Sequence, residues 1–260
     1  MKLEFYKYQA TGNDFVILDN RNLAFPKSDQ AFIATLCDRR FGIGADGLIL
    51  LEPSSDLAFT MVYFNADGCE SSMCGNGGRS IVAFAKFLGL MGSECKFHAP
   101  DGKHRAALMK DMVSLEMSDV TSVNRYKDSS FLDTGSPHHV SVVEDLEAVN
   151  VVDEGRKIRN EVYGPKGSNV NFVSVLDSQR IAVRTYERGV EDETLSCGTG
   201  VTASVLALFD AGALSSKRVL VETRGGILKV EFEENGQGGY TNIRLIGPAR
   251  QVFQGSWTND

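Results

Sequence analysis

Proline is scarce, six in 260 residues, and tryptophan occurs once, so the chain has no proline-rich or low-complexity linker composition. Long apolar runs are missing as well. No segment approaches the roughly 20 apolar residues that span a bilayer, and the start, Met1 to Tyr8, alternates polar and apolar residues without a signal-type stretch. No run of Lys and Arg appears, and 27 basic residues stand against 34 acidic ones for a net charge of −7. A basic footprint for nucleic acid is therefore absent. The five cysteines contain no CxxC pair, which argues against a disulfide framework or a thiol zinc site. What remains is an ordinary globular composition, 42% apolar and 23% charged, able to bury a core without staples. The expectation is a cytoplasmic chain with free thiols and neither a membrane nor a nucleic-acid partner.

Glycine is abundant instead: 26 residues, many of them clustered at Gly42-Ile43-Gly44, Gly75-Asn76-Gly77-Gly78, Gly198-Thr199-Gly200 and Gly225-Gly226. Such clusters mark sharp backbone bends or close approach to a ligand. The chain also repeats itself. With Cys74 set on Cys197, an offset of 123, Tyr63 falls on Tyr186, Glu70 on Glu193, Gly75 on Gly198 and Gly77 on Gly200. Strand-like stretches, Leu57 to Phe64 and Ile181 to Tyr186, precede the two cysteines. Helix candidates follow, Arg79 to Leu88 closed by Gly89 and Gly200 to Ala211 closed by Gly212. Two strands around a Gly turn come next, at Asp101-Gly102 and Arg224-Gly225. The opening Asn13-Asp14-Phe15-Val16-Ile17 reads as an echo of Asn169-Val170-Asn171-Phe172-Val173. Two pseudo-equivalent domains of about 120 residues follow from this order.

Both helix candidates are apolar nearly all round, so each must be enclosed by other elements. The fold class is α+β: two pseudo-symmetric domains, each a mixed β-sheet curled into a barrel around a central apolar helix, with the active site in the cleft between them. The first is expected over residues 1–118, with a strand at 250–260 returning to it, and the second over 119–249.

Each cysteine stands at the entrance of its enclosed helix inside a Gly-rich turn. A helix N-terminus carries unpaired N–H groups and the positive end of the dipole, which favours a thiolate and makes an anion site. One such cysteine reads equally well as a small buried hydrophobe; two matched by a repeat favour chemistry. A disulfide switch needs the sulfurs to meet, and a metal site needs ligands that neither motif supplies. The third use is a pair of acid–base groups on opposite faces of one carbon, because inversion needs a proton donor on the face the proton did not leave.

The motifs now carry a resemblance. Thr11-Gly12-Asn13-Asp14-Phe15, Gly42-Ile43-Gly44-Ala45-Asp46-Gly47, Tyr63-Phe64-Asn65-Ala66-Asp67-Gly68 and Met73-Cys74-Gly75-Asn76-Gly77 lie in the first half. Gly135-Ser136-Pro137-His138, Ser168-Asn169-Val170-Asn171-Phe172, Glu187-Arg188-Gly189, Glu193-Thr194 and Cys197-Gly198-Thr199-Gly200 lie in the second. Over nearly its whole length the sequence resembles the diaminopimelate epimerases, two-cysteine enzymes related to proline racemases. The resemblance implies an isomerase of lysine and peptidoglycan precursor biosynthesis that interconverts LL- and meso-diaminopimelate without pyridoxal phosphate, any other cofactor or a metal, and works as a homodimer.

It implies Cys74 and Cys197 as the acid–base pair, with His138 partnering the first thiol and Glu187 the second. The reacting carboxylate is expected at the backbone N–H groups near Gly75, Asn76, Gly198 and Thr199, which also stabilise the carbanion. Asn13, Asn65 and Asn169 match substrate-binding positions, Glu187 and Ser136 lie among them, and Arg188 is the clamp for the far carboxylate. His139 matches no role and is expected to face solvent or a neighbouring strand. Two departures stand out: many members carry Gln where this chain has Gly47 and Asn where it has Ser136. Cys37, Cys69 and Cys95 read as packing residues. The alternatives are a proline or hydroxyproline racemase or epimerase, against which Asn76 and the Glu187-Arg188 pair argue, and a thiol redox sensor.

Overall fold

The computed structural model describes residues 2–71 and 73–258. They fall into two compact units, Met1–Leu115 with Pro248–Asp260, and Glu116–Gly247. The first unit begins with β1 (Lys2–Ala10) and β2 (Asn13–Asp19), then α1 (Gln30–Cys37), β3 (Gly47–Glu52) and β4 (Thr60–Asn65). It continues with α2 (Gly75–Phe87), β5 (Glu94–Ala99), β6 (Gly102–Met109) and β7 (Met112–Glu116). The second unit comprises β8 (Asn124–Arg125), β9 (Ser130–Asp133), β10 (Pro137–Val142), α3 (Val151–Glu161), β11 (Asn169–Asp177) and β12 (Arg180–Glu187). There follow β13 (Asp192–Thr194), α4 (Gly198–Asp210), β14 (Arg218–Thr223), β15 (Gly226–Glu234) and β16 (Tyr240–Pro248). The last strand, β17 (Arg250–Thr258), pairs antiparallel with β1 in the first unit.

The two sheets share one pattern. From β1 to β7 the successive pairings run antiparallel, parallel, antiparallel, parallel, antiparallel, antiparallel. Strands β9, β10, β11, β12, β14, β15 and β16 repeat the same series. Each parallel step needs a crossover, and α1, α2, α3 and α4 supply them in the same order. The equivalence corrects one reading of the sequence. The counterpart of β2, which opens with Asn13, is β10, which begins beside Ser136, and β11 with Asn169 is the counterpart of β3. Asn13 and Asn169 share a short apolar word because both open strands of a parallel pair, not because they are equivalent. The turn glycines also shift by one: Gly102 (φ 137°) matches Gly226 (φ 138°) rather than Gly225.

Buried parallel strands read as continuous apolar runs, and all six residues of β3 are buried. On one face of the first sheet α1 packs Ile33, Leu36 and Cys37 against Val16, Leu18, Leu48 and Leu50. On the other, α2 touches β1, β2, β3, β4 and β17. Ile81, Val82, Phe84 and Ala85 are without solvent contact, so the sheet curves round this helix. In the second unit α4 touches β9, β10, β11, β12 and β15. On the outer side α3 lies against Val170, Phe172 and Tyr186. It approaches so closely at Gly155 that a Cβ there would sit 2.3 Å from Cβ of Tyr186.

Both enclosed helices start earlier than their apolar runs, directly after the cysteine, and both are thirteen residues long. They end alike. Gly89 and Gly212 adopt φ of 73° and 76°, the left-handed region that costs glycine least. The Leu90 N–H donates to Ala85 O and the Ala213 N–H to Leu208 O, closing matched Schellman ends. Among the described residues, no helix is long and apolar enough to cross a membrane.

Candidate active site

Cys74 and Cys197 are the N-cap residues of α2 and α4, in nearly identical extended conformations (φ −110°, ψ 121° and φ −113°, ψ 110°). Neither side chain makes a capping hydrogen bond, and both helices start with their first-turn N–H groups at Gly75, Asn76, Gly198 and Thr199, the end of a helix that attracts anions.

In the first unit the β1–β2 hairpin turns at Thr11-Gly12 and delivers Asn13 to Cys74. The Cys74 thiol donates to Asn13 Oδ1 at 3.6 Å, and the Asn76 side-chain amide donates to the same oxygen at 3.2 Å. Asn13 Nδ2 in turn donates to Asp46 Oδ2 at 2.7 Å. Asp46 sits at the start of β3, the parallel neighbour of β2, which explains how residues 33 apart meet. Behind it lies a charged cluster. Arg39 donates to Asp14 at 2.6 Å and to Asp46 at 2.8 Å, and the buried Lys7 ammonium pairs with Asp14 at 2.7 Å and donates to Gly44 O. Burial pushes the Asp14 carboxyl up, but the Arg39 and Lys7 hydrogen bonds outweigh it and hold it at about 2.

Thr11 is a β-branched residue at φ 49°, a conformation that costs about 1–3 kcal/mol. Its hydroxyl accepts from Arg79 Nη2 at 3.2 Å and lies 3.5 Å from Asn76 Oδ1. Arg79 is fully buried in the first turns of α2 and donates to Asn76 Oδ1 at 2.8 Å and to Gly75 O at 3.3 Å. Asn65, at the end of β4, is exposed and lies opposite Gly47 in the β3–β4 register. Gly47 has no room for a side chain: a Cβ would meet Phe64 O and the Tyr63 ring at 2.6 Å. Tyr63 therefore occupies the space that a longer residue at 47 would need.

The second unit repeats this construction at the offset of 123. Ser136 takes the place of Asn13 and Asn169 that of Asp46, and Asn169 Nδ2 donates to Ser136 Oγ at 2.6 Å and to Pro137 O at 3.1 Å. Thr134, standing for Thr11, donates to Thr199 O at 3.0 Å. The Cys197 sulfur lies 3.4 Å from Thr199 Oγ1. Arg188 matches Asn65. Its backbone N–H donates to Asn169 Oδ1 at 2.9 Å while its guanidinium reaches Lys166 O at 2.9 Å. Glu187, closing β12, accepts from Thr194 Oγ1 at 2.9 Å.

His138 is without solvent contact. Burial, aided by the Arg188 charge, pushes its pKa down to about 3, so it is neutral at pH 7. Asn171 Nδ2 donates to its Nδ1 at 3.1 Å, which leaves the proton on Nε2. That nitrogen has no partner among the described residues. Of the two expectations for His139, solvent is excluded. It is buried, with its ring nitrogens 2.8 Å from Tyr163 OH and 2.7 Å from Ser141 Oγ, and burial pushes it down to about 4.

The structure thus gathers Asn13, Cys74, Gly75 and Asn76 in one unit, and Ser136, Asn169 and Arg188 as well as Cys197, Gly198 and Thr199 in the other. Cys37 and Cys95 are packing thiols, pushed up by burial to about 12 and about 11. Cys69 is not: it is exposed and accepts from Gln30 Nε2 at 3.0 Å. No group of three metal-ligating side chains occurs among the described residues. Thr11, Asp46 and Tyr63 lie inside the quoted motifs and Arg79 opens a quoted helix candidate, but the sequence reading assigned none of the four a role in the site. The available signal was Arg79, a cation in the first turns of a helix that must be enclosed.

A family model described as diaminopimelate epimerase matches residues 5–123 and 130–252. A diaminopimelate epimerase from Flavobacterium psychrophilum is 50% identical over 254 residues, 97% of this chain and 99% of the relative. One from Chlorobaculum tepidum is 41% identical over 259 residues, 96% and 99% of the two chains. Among solved structures, a probable proline racemase from Agrobacterium radiobacter K84 aligns with TM-score 0.74 at 14% identity, covering 99% of this chain and 93% of that one. A hydroxyproline epimerase from Agrobacterium vitis gives 0.74 and 14%, covering 98% and 92%. These last two share the fold. The sequence matches extend over both cysteine-bearing units, and the chain belongs to the diaminopimelate epimerase family.

Proposed function

We propose that the chain inverts one α-carbon of LL-2,6-diaminopimelate to give the meso isomer, with one cysteine serving each face of that carbon. The observation that carries this reading is the duplicated cysteine N-cap: two thiols in the same conformation on two enclosed helices, each in a hydrogen-bonded frame of the same design. One thiolate takes the α-proton, the electron pair passes into the adjacent carboxylate, and the other thiol protonates the opposite face. The two sulfurs end with their protonation states exchanged, and the reverse reaction resets them. Fixed N–H groups at Gly75, Asn76, Gly198 and Thr199 stabilise the charge that moves onto the carboxylate.

His138, neutral with its proton on Nε2, and Glu187 act as the partners that set the protonation of the thiols. Asn13, Asn65, Ser136 and Asn169 bind the amino and carboxylate groups, and Arg188 exchanges its bond to Lys166 O for the far carboxylate. A proline-type substrate has no far carboxylate, so Arg188 favours diaminopimelate over a cyclic amino acid. The same reading places the enzyme in lysine and peptidoglycan precursor synthesis, in the cytoplasm and as a homodimer; the free thiols support a reducing compartment.

The test is conversion of LL-diaminopimelate by the purified chain with no added cofactor. Meso product is expected, with Cys74→Ala and Cys197→Ala both inactive. Faster turnover of proline, or a fully active single variant, contradicts the assignment.

A further inference from the structure

Arg79 has no evident reason to be where it is. It is a cation with no solvent contact, and removing such an ion from water costs several kcal/mol even after relaxation. Its acceptors are all neutral: Gly75 O, Thr11 Oγ1 and Asn76 Oδ1. No carboxylate pairs with it among the described residues, and its Nε has no hydrogen-bond partner there. Burial pushes its pKa down to about 10, opposed only by the charge that Cys74 can carry. The fold does not demand it either. The equivalent position in α4 is Thr202, whose hydroxyl donates to Gly198 O at 3.0 Å, the carbonyl corresponding to the one Arg79 reaches.

What Arg79 does have is a place in a directed chain. An ionised Asp only accepts hydrogen bonds and an Arg only donates them, whereas an asparagine amide does both. Asp46 accepts from Asn13 Nδ2, Asn13 Oδ1 accepts from Asn76 Nδ2, and Asn76 Oδ1 accepts from Arg79 Nη2. With an acceptor-only group at one end and a donor-only group at the other, neither amide can turn over without setting donor against donor or acceptor against acceptor. The Cys74 sulfur therefore always meets the Asn13 oxygen and never its NH2.

We propose that Arg79 is a positioning residue of the inversion: it is the donor-only terminus that, with Asp46 at the other end, aims the Asn13 carbonyl at the Cys74 sulfur, and its buried charge offsets the negative charge that appears when that sulfur gives up its proton. Among the described residues, the ion pairs and hydrogen bonds of this chain bring in the charged side chains of Lys7, Asp14, Arg39, Asp46 and Arg79. Those on the Asp46 side neutralise one another, which leaves Arg79 as the cation on the helix side.

This inference rests on Cys74 being an acid–base group, so its test reads the thiol and not turnover. Alkylation of Cys74 by iodoacetamide, followed against pH by mass spectrometry of its peptide, is compared among the native chain, Arg79→Met, Arg79→Lys and Asp46→Ala. Arg79→Met removes the charge at similar length and is expected to melt no lower than the native chain. It should alkylate Cys74 about tenfold more slowly at neutral pH, the effect of losing a buried cation whose charge acts on that sulfur. Arg79→Lys should recover part of that rate. Asp46→Ala removes an anion while Arg79 still holds the Asn76 and Asn13 amides in the same direction, so alkylation should quicken about threefold, less because Asp46 is partly exposed. Shifts of opposite sign support the proposal. Unchanged profiles, shifts of one sign, or failure of Arg79→Met to fold overturn it, the last by assigning Arg79 to the core. Inactivity of Cys74→Ala is a separate result, and its absence would remove the proposed reaction without touching the alkylation comparison.

Discussion

Mild acid should loosen the second unit well before the first. His138 and His139 are held neutral by burial at about 3 and about 4, against an ordinary value of 6.5. In the unfolded chain both take a proton below 6.5, while in the folded chain neither does until pH approaches 4. The unfolded state therefore binds more protons across that window, and stability falls as pH falls. Each histidine contributes about 1.4 kcal/mol per pH unit well below 6.5 and half that at 6.5 itself, so between pH 6.5 and 5.0 the pair removes roughly 3 kcal/mol of a total that is typically 5–15 kcal/mol. Asp14 in the first unit has the opposite character. Its depressed carboxyl pKa of about 2 adds stability above the unfolded value of 3.8 and gives it up only below that.

Peptide-resolved hydrogen exchange, corrected for intrinsic rates, separates the two units. At pH 5.0 the opening free energy of β10 and β11 should drop by about 3 kcal/mol relative to pH 6.5, while β2 and β3 should change little. His139→Gln should remove about half of the drop. Equal losses in both units, or the same loss in the variant, would refute the assignment of the two neutral imidazoles.

Other expectations follow from single contacts. Gly200→Ala should destabilise the second unit by about 1–3 kcal/mol, because its Cβ would lie 2.3 Å from Asn171 Oδ1 and 3.3 Å from His138 Cε1; a thermal melt reads this directly. Cys37→Ala should keep its turnover per folded molecule and lower the melting temperature, since Cys37 packs in the α1 core and its backbone carbonyl, which accepts from Ala45 N–H, is kept in the variant. Arg188→Ala should raise KM and also slow turnover, because far-end binding orients the reacting carbon; steady-state kinetics that change neither parameter would remove the clamp.

How much of this was legible beforehand differs from element to element. The enclosed helices and their cysteines were readable because burial on all sides forces an apolar sequence, and because Gly89 and Gly212 mark their ends. The paired topology was readable from the offset between Cys74 and Cys197, which holds from Thr11 and Thr134 to the ends of α2 and α4. The echo of Asn13 in Asn169 misled, since alternation in parallel strands produces similar words at non-equivalent places. Of the frame of the site only Arg79 left a signal, as a cation at the start of an enclosed helix. Asp46 reaches Asn13 only because β2 and β3 lie side by side, Tyr63 covers Gly47 only through the β3–β4 register, and that the partners of Arg79 are all neutral shows only in the fold. Sequence carries residue types and spacing; these relations are made by strand pairing across dozens of residues.

The account depends above all on separate proton carriers for the two faces of the α-carbon, and isotope exchange in D2O at low conversion examines that most directly. If the proton leaves on one sulfur and its replacement arrives from the other, newly formed meso-diaminopimelate should carry one deuterium at the inverted centre. The remaining LL substrate should then stay unlabelled. Deuterium appearing in the remaining substrate as fast as product forms, or product that keeps the original proton, would show a single group serving both faces and contradict the account.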